Sequence, residues 1–215
     1  MTVTKSEQRR RALLRATSRV ISERGIAGAS VRAVAERAEM STGSVLYHFD
    51  SFDRLVEAAV RGAISEFIEN RRRLSGEHRD PLARLRATIE AGIPERISDD
   101  LRIVYEVSAA VREQPRFRHD MTLLIERQVA LYQSVIEVGV ALGAFRPRME
   151  VDAIAANLVA LEDAYDLYLL DPDNWQRERY LQNTLRFAET ALHCALVEES
   201  HGSEAAAANP SEKIA

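Results

Sequence analysis

Residues 30–49 constrain the fold more than any other part of this sequence, because they read as two short helices joined by a tight turn. Ser30 and Ser41 each stand just before a stretch with helical spacing, and serine is a preferred N-cap residue. The second helix exposes small, hydroxyl-bearing or polar aromatic side chains where a surface helix usually carries Lys and Glu. Such a surface suits close contact, which a helix-turn-helix requires when its second helix enters the DNA major groove.

The predicted DNA-binding surface combines this second helix with the start of the first. Short hydroxyl side chains and an exposed glycine let the helix backbone approach the groove floor, and free N–H groups at the helix start can bind phosphate. Arg32 can reach a guanine. Tyr47 and His48 either contact the DNA backbone or only pack against the following helix, whereas Phe49 is expected in the core. The predicted DNA-binding residues are Ser30, Arg32, Ser41, Thr42, Gly43, Ser44, Tyr47 and His48.

The charge of the chain is unevenly distributed. The formal net charge is −4 over 215 residues, but residues 1–50 contain nine Lys or Arg and five Asp or Glu, a balance of +4. The remaining residues therefore carry a balance of −8. Random scatter can produce such a difference, but a basic head on an acidic body favours a protein whose head alone meets nucleic acid.

The stretch Met40–Phe49, followed by Ser51 and Leu55, resembles the helix-turn-helix of the TetR family of bacterial repressors. The resemblance covers about residues 8 to 60. It implies a transcriptional regulator, in the usual case a repressor, that binds a double-stranded, roughly palindromic DNA operator as a homodimer. It also implies that a small-molecule effector releases the protein from its operator.

The sequence departs from the family pattern at three positions. Glu39 stands in the turn between the two motif helices, where many members have Gly. Leu46 and Phe52 stand where many members have Tyr and Lys, both of which contact phosphate. We expect Tyr47 and the basic cluster Arg9–Arg11 to supply these contacts instead.

Helical periodicity continues along the chain, and no segment shows sustained strand alternation. The predicted helices cover about residues 5–24, 30–38 and 41–48, a fourth opened by Ser51, a fifth opened by Pro81, a sixth from Asp99 or Asp100 to before Pro115, and three more over about 115–142, 150–170 and 175–198. This all-α pattern of about nine helices predicts four regions: a head over 1–50, a connecting fourth helix over 51–74, a body over 75–199 and a disordered tail over 200–215. The resemblance assigns ligand binding and dimerisation to the body.

The last two helices are the predicted dimer interface. Their apolar residues recur at helical spacing and can form a four-helix contact across a two-fold axis. The alternative is that these stripes face the protein's own core, and both can hold. The residues concerned are Ile154, Leu158, Leu161, Tyr165, Leu181, Leu185, Ala188, Leu192 and Leu196.

The effector site is expected among the fifth to eighth helices, because the resemblance implies a ligand there that swings the fourth helix. The predicted ligand-binding residues are Tyr105, Glu106, Gln128, Tyr132, Glu162, Tyr165 and Trp175, with Ser108, Leu124 and Leu161 as further lining candidates.

The eighth helix carries a clue to the ligand class. Glu162, Asp163 and Asp166 cluster beside Tyr165 and Tyr168. A carboxylate beside aromatic rings suits a cationic ligand, such as an amine or polyamine. On a helical wheel Asp163 points away from the apolar stripe and Glu162 lies at its edge. The alternative is that Glu162 pairs with an arginine across an interface while the other two carboxylates are solvated.

Other functional classes are disfavoured. The sequence lacks a Gly-rich phosphate loop, a His-Glu-x-x-His motif and a cysteine pair for zinc, so neither an enzyme nor a cofactor is predicted. His193 and Cys194 are neighbours that point about 100° apart on a helix. A small helical enzyme and a helical adaptor that does not bind DNA remain the alternatives. One cysteine, no signal peptide and no long apolar run predict a cytoplasmic protein without a membrane segment.

Overall fold

The computed structural model describes residues 4–96, 98–166, 168 and 176–196. Within these ranges the chain is all-helical and contains no strand. The elements are α1 (Lys5–Gly28), α2 (Val31–Ala38), α3 (Thr42–Phe49), α4 (Phe52–Gly76), α5 (Pro81–Gly92), α6 (Asp99–Ala110), a short 3₁₀ turn (Pro115–Phe117), α7 (Arg118–Ala141), α8 (Val151–Asp166) and α9 (Arg177–Leu192). The predicted tail over 200–215 and Trp175 lie outside the described residues. Of the helices described, none has the length and apolar character needed to cross a bilayer.

Local signals in the sequence set the ends of the first helices. The hydroxyls of Ser30, Ser41 and Ser51 accept hydrogen bonds from backbone N–H groups three residues later, at 3.1–3.2 Å, and so cap α2, α3 and α4 as predicted. Gly25 has φ 69° and ψ 172°, which breaks the regular path of α1. One further turn follows this kink, so α1 ends at Gly28 rather than at Arg24.

Three apolar clusters build the core. The head cluster joins α1, α2, α3 and the start of α4 around Leu13, Val34 and Val45. The middle cluster joins α1 and α4 to α6 and α7, and it includes Ile21 and Ile103. The largest cluster holds α5, α7, α8 and α9 together. Because the middle cluster contains residues of both the head and the body, the two regions share a continuous apolar contact.

The apolar stripes of α8 and α9 face the interior of the chain, as in the alternative to a dimer interface given above. The stripe residues Ile154, Leu158, Leu181, Leu185, Ala188, Leu192 and Leu196 are all buried in the largest cluster. Leu161 and Tyr165 are half-buried. Helical spacing identifies the apolar face of a helix but not what covers it, and here the chain's own α5 and α7 do so.

Candidate DNA-binding surface and ligand cavity

The predicted reading surface is present on the outer side of α2 and α3. Tyr47 is 84% exposed, and Thr42 and Gly43 are also exposed on the first turn of α3. The Arg32 side chain is 84% exposed and pairs with Glu36 one turn away, at 3.0 Å. An exposed i,i+4 pair of this kind is weak, so Arg32 can exchange Glu36 for another partner at little cost.

Tyr47 and His48 form a small aromatic ledge at the end of this surface. Their ring centroids lie 5.5 Å apart in an edge-to-face arrangement. His48 and Ser44 are half-buried, whereas Tyr47 does not pack against α4. Phe49 lies on the opposite side of α3 and is buried, as predicted, with the Arg10 guanidinium 4.5 Å above its ring. Arg10 thereby brings the positive charge of α1 next to the reading helix.

The turn between α2 and α3 keeps its left-handed geometry without a glycine. Glu39 has φ 55° and ψ 42°. Its backbone N–H bonds back to the carbonyls at the end of α2, which closes the helix in the usual way for a left-handed cap. A side chain in this conformation costs about 1–2 kcal/mol. The departure from the family pattern therefore changes the stability of the turn and leaves its path intact.

The body contains a cavity of about 260 Å³ between α4, α6, α7 and α8. Its walls are mainly apolar. The polar groups are Gln128 at the inner wall, Tyr105 and Ser108 on α6, and Asp163 on α8. The lining residues are Phe67, Leu101, Val104, Tyr105, Ser108, Ala109, Met121, Leu124, Ile125, Gln128 and Asp163.

Two of the seven predicted ligand-binding residues, Tyr105 and Gln128, line this cavity, as do the further candidates Ser108 and Leu124. The carboxylate of Glu106 faces the kink at Gly25, where an added Cβ would lie 2.9 Å from its Oε2. Tyr165 stacks on Tyr180 of α9, with centroids 4.5 Å apart. Glu106 and Tyr165 therefore do not line this cavity, and Trp175 lies outside the described residues.

Tyr132 and Glu162 do not line the cavity but belong to a buried polar network centred on Arg71 of α4. Arg71 Nη1 donates to Gln128 Oε1 at 2.5 Å. Its Nη2 donates to Glu162 Oε1 at 3.0 Å, Thr88 O at 3.2 Å and Tyr132 Oη at 3.3 Å. The Tyr132 hydroxyl also donates to Glu162. One arginine thus connects α4 to α5, α7 and α8.

Burial dominates the electrostatics of this network. Arg71 and Glu162 are each 1% exposed. Desolvation raises the pKa of Glu162 to about 7, against the opposing attraction of Arg71 and the hydrogen bond from Tyr132. The pKa of Tyr132 is raised for the same main reason. Asp163 stands exposed at the cavity mouth, yet the walls around it remove enough water to raise its pKa as well, with Arg71 opposing.

The sequence held signals for the residues that were missed. Arg71 falls on the buried stripe of α4, in register with Ile64, Ile68 and Ser75. A charged residue on such a stripe indicates a buried partner. This signal is weak here because Arg71 is the first of three consecutive arginines, Arg71–Arg73, and the other two are exposed. For Asp163 the helical wheel shows only that it points away from the apolar stripe of α8. Its place at a cavity mouth depends on how α6 and α7 pack.

The helix α6 stands between the cavity and the head. One side of it carries Tyr105 and Ser108 into the cavity, and the other packs Ile103 against α1 and α4. Polar contacts reinforce this junction. Ser22 Oγ donates to Asp99 Oδ1 at 3.2 Å, and Arg116 pairs with Asp53, in the first turn of α4, at 2.5 Å.

Comparison with known proteins agrees with this architecture. The family model described as bacterial regulatory proteins, tetR family, matches residues 13–59, which span most of α1, all of α2 and α3, and the start of α4. The repressor KstR2 of Mycobacterium tuberculosis is 28% identical over 148 residues, which are 68% of this chain and 74% of that protein. This chain belongs to the TetR family. It is a TetR-family transcriptional regulator, and the all-α fold and the helix-turn-helix are as predicted.

Further relatives of the TetR-family protein agree in the head and in the fold. The regulator BetI of Burkholderia cenocepacia is 38% identical over 91 residues, 41% of this chain and 46% of that protein. A TetR regulator from Haloarcula marismortui superposes with a TM-score of 0.77 at 21% identity, over 86% of this chain and 98% of that one. A regulator from Saccharomonospora viridis in complex with choline gives 0.76 at 21% identity, over 86% and 97%. These structural similarities establish the shared fold.

Proposed function

We propose that this TetR-family regulator is a repressor that acts in the cytoplasm, binds a palindromic operator as a homodimer and leaves it when a small molecule occupies the body. The observation that carries the proposal is the capped α3, which exposes Thr42, Gly43 and Tyr47 beside a basic α1. In this proposal the head spans 1–50, α4 connects it to the body, and the body over 75–199 binds the effector and the second subunit.

In the operator complex, the first turn of α3 enters the major groove. Thr42 and Ser44 contact base edges, and Gly43 allows the backbone to come close. The N–H groups after Ser41 bind phosphate at the positive end of the helix. The remaining predicted contacts are Ser30 and Arg32 on the preceding helix, with Tyr47 and His48 on the phosphate backbone.

Dimerisation is proposed through the outer faces of α8 and α9, because their apolar faces are used within the chain. On α8 the exposed residues Ala156, Ala160 and Ala164 recur every fourth position and allow a partner helix to approach closely. On α9 Asn183 and Arg186 are exposed and offer polar contacts at the rim. Two copies joined in this way present two recognition helices to one palindrome.

The cavity between α4, α6, α7 and α8 is the proposed effector site, with a cationic amine as the proposed ligand class. Glu162 is already paired with Arg71, so the carboxylate assigned to the cation is Asp163 at the cavity mouth. Tyr105 in the wall supplies an aromatic ring that attracts cations. Phe67 already attracts one, since the Arg71 guanidinium lies 5.7 Å from the centroid of its ring. The relative from Saccharomonospora viridis, whose structure contains choline, supports this ligand class by analogy.

An electrophoretic mobility shift with the DNA flanking the protein's own gene tests the operator. The wild type is expected to retard one fragment, and Tyr47→Ala or Arg32→Ala should weaken that complex about tenfold or more, as loss of a good contact does. Arg102→Ala is the matched control, because Arg102 is exposed on α6 of the body. Failure of the folded wild type to bind any flanking fragment would overturn the proposal.

Light scattering on the purified protein tests the dimer. Ala160→Glu places a charge in the proposed interface and is expected to give monomers, because an unpaired charge buried between subunits is costly. Ala27→Glu adds the same charge to an exposed alanine near the end of α1 and should leave the dimer intact. A dimer that survives Ala160→Glu would place the interface elsewhere.

A further inference from the structure

The inner wall of the cavity holds an amide whose orientation is fixed. Gln128 is 4% exposed and accepts a hydrogen bond from Arg71 through its Oε1 at 2.5 Å. A guanidinium only donates, so the amide oxygen has to face it. Arg71 is itself held by Glu162 and by Thr88 O, so it does not leave this position freely.

This fixed orientation determines what Gln128 offers to the cavity. With the oxygen bound to Arg71, the NH₂ group is the part of Gln128 that can bind a guest. Among the described residues, no hydrogen bond uses this NH₂ group. The NH₂ group is not sealed inside the protein, so it is accessible from the cavity. A guest that carries an acceptor can replace water on this donor, and a hydrogen bond of this kind contributes about 0.5–1.5 kcal/mol.

Asp163 gives the lining of the same cavity a group of the reverse polarity. Asp163 is an acceptor with a negative charge, and Phe67 and Tyr105 add aromatic faces to the wall. No Lys or Arg lines the cavity within the described residues. The site therefore combines a place for a cation at Asp163 with hydrogen-bond donors on Gln128, and the rest of its lining is mainly apolar.

We propose that Gln128 is a specificity-determining residue and that the effector is an organic cation carrying an oxygen acceptor, with the cation at Asp163 and the oxygen on the Gln128 amide. The inference rests on the proposed effector site and adds a second group to the ligand. It also explains how α4 senses occupancy. The amide that binds the oxygen is hydrogen-bonded to Arg71, which belongs to α4.

Two matched cations test this assignment by calorimetry on the full-length protein. The probes are (2-methoxyethyl)trimethylammonium and n-butyltrimethylammonium, which have the same shape and differ by an ether oxygen in place of one methylene. The wild type is expected to bind the ether about five- to tenfold more tightly, the contribution of one hydrogen bond to a buried donor. Asp163→Asn should weaken both probes by a similar factor and leave their ratio unchanged.

Variants of Gln128 separate its donor from its structural role. Gln128→Glu, measured at mildly alkaline pH, keeps the size and the acceptor for Arg71 but has no N–H, so the preference for the ether should disappear. Gln128→Met removes the amide altogether and should give the same loss. Gln133→Leu is the control, because Gln133 lies on α7 but bonds to Asp152 at 2.9 Å and does not line the cavity.

Three results would overturn the inference: equal affinity of the wild type for both probes, a preference that persists in both Gln128 variants, or no binding of either cation at millimolar concentration. None of these outcomes removes the proposed repressor function, which depends on the operator shift and the dimer. If neutral or anionic compounds release the protein from DNA and these cations do not, the proposed repressor function stands and the proposed ligand class is wrong.

Discussion

The head and the body of this protein treat charge in opposite ways. In the head, the charged residues lie on the surface, as in the Arg32–Glu36 pair, and the interior around Val34 and Val45 is apolar. Where the connecting helix α4 meets the body, Arg71 and Glu162 are completely enclosed. Exposed pairs contribute little to stability, whereas a buried charge depends on its partners. The exposed charged residues of the head can therefore leave their ion-pair partners for DNA phosphates. The buried charged residues cannot change partners, and they hold the helices of the body together.

The largest expected effect comes from removing the centre of the buried network. Arg71→Met should lower the free energy of unfolding by about 3–5 kcal/mol, because it leaves Glu162 without its cation and Gln128 without its donor. Urea denaturation followed by circular dichroism measures the loss.

Arg72 provides the matched control for this change. It is the next residue, it is exposed, and it pairs with Glu69 at 3.2 Å on the helix surface. Arg72→Met should change stability by less than about 1 kcal/mol. If Arg71→Met and Arg72→Met lowered the free energy of unfolding equally, the buried charge would contribute no more to stability than the exposed one.

The two regions also differ in how far the sequence predicts them. The ends of α2, α3 and α4 follow from serines that act on backbone groups three residues away, so local rules were sufficient. The Arg71 network joins residues up to 91 positions apart, and the cavity likewise draws its lining from α4, α6, α7 and α8. Periodicity predicts that Arg71 and Glu162 lie near buried stripes, but it does not say which helix supplies the partner. The apolar stripes of α8 and α9 left two readings open for the same reason, since periodicity does not show that α5 and α7 cover them.

Glu162 provides a pH test of the enclosed pair. Its pKa is about 7 in the folded protein against 4.5 for an ordinary glutamate, so the folded state binds the proton more tightly than the unfolded state does. The stability that Glu162 contributes is fully present below about pH 4.5 and is lost as pH rises through 7. Glu162→Gln removes this titration while keeping an oxygen that can accept from Arg71 and Tyr132.

The stability of the wild type relative to Glu162→Gln should therefore fall by on the order of 2–3 kcal/mol between pH 4.5 and 8, with most of the change before pH 7. Urea denaturation of both proteins at several pH values measures this difference, and the other titrating groups, including Asp163, cancel in the comparison. A difference that stays constant over this range would mean that the attraction of Arg71 keeps Glu162 ionised throughout.

Substitutions at two glycines test how tightly the buried network is packed relative to the exposed surface. A Cβ added at Gly92 would overlap the Glu162 carboxylate, which Arg71 and Tyr132 hold in place. Gly92→Ala should cost about 1–3 kcal/mol, as overpacking does. Gly62 is exposed on α4 with nothing within 4 Å of such an atom, and Gly62→Ala should stabilise the protein by about 0.5–1 kcal/mol. Thermal denaturation shows whether each variant has a lower or a higher midpoint than the wild type. A higher midpoint for Gly92→Ala would show that the Glu162 carboxylate moves aside at little cost.

The smallest expected effect belongs to the head and concerns the backbone rather than charge. Glu39 holds the left-handed conformation in the turn between α2 and α3, where glycine avoids the strain of a side chain. Glu39→Gly should stabilise the protein by about 0.5–1 kcal/mol, the strain relieved less the entropy that glycine gains in the unfolded chain. Glu39→Ala removes the same charge but keeps the strain, so its thermal midpoint should stay near that of the wild type. If alanine stabilised the protein as much as glycine, repulsion of the Glu39 carboxylate and not the backbone would set the cost of this turn.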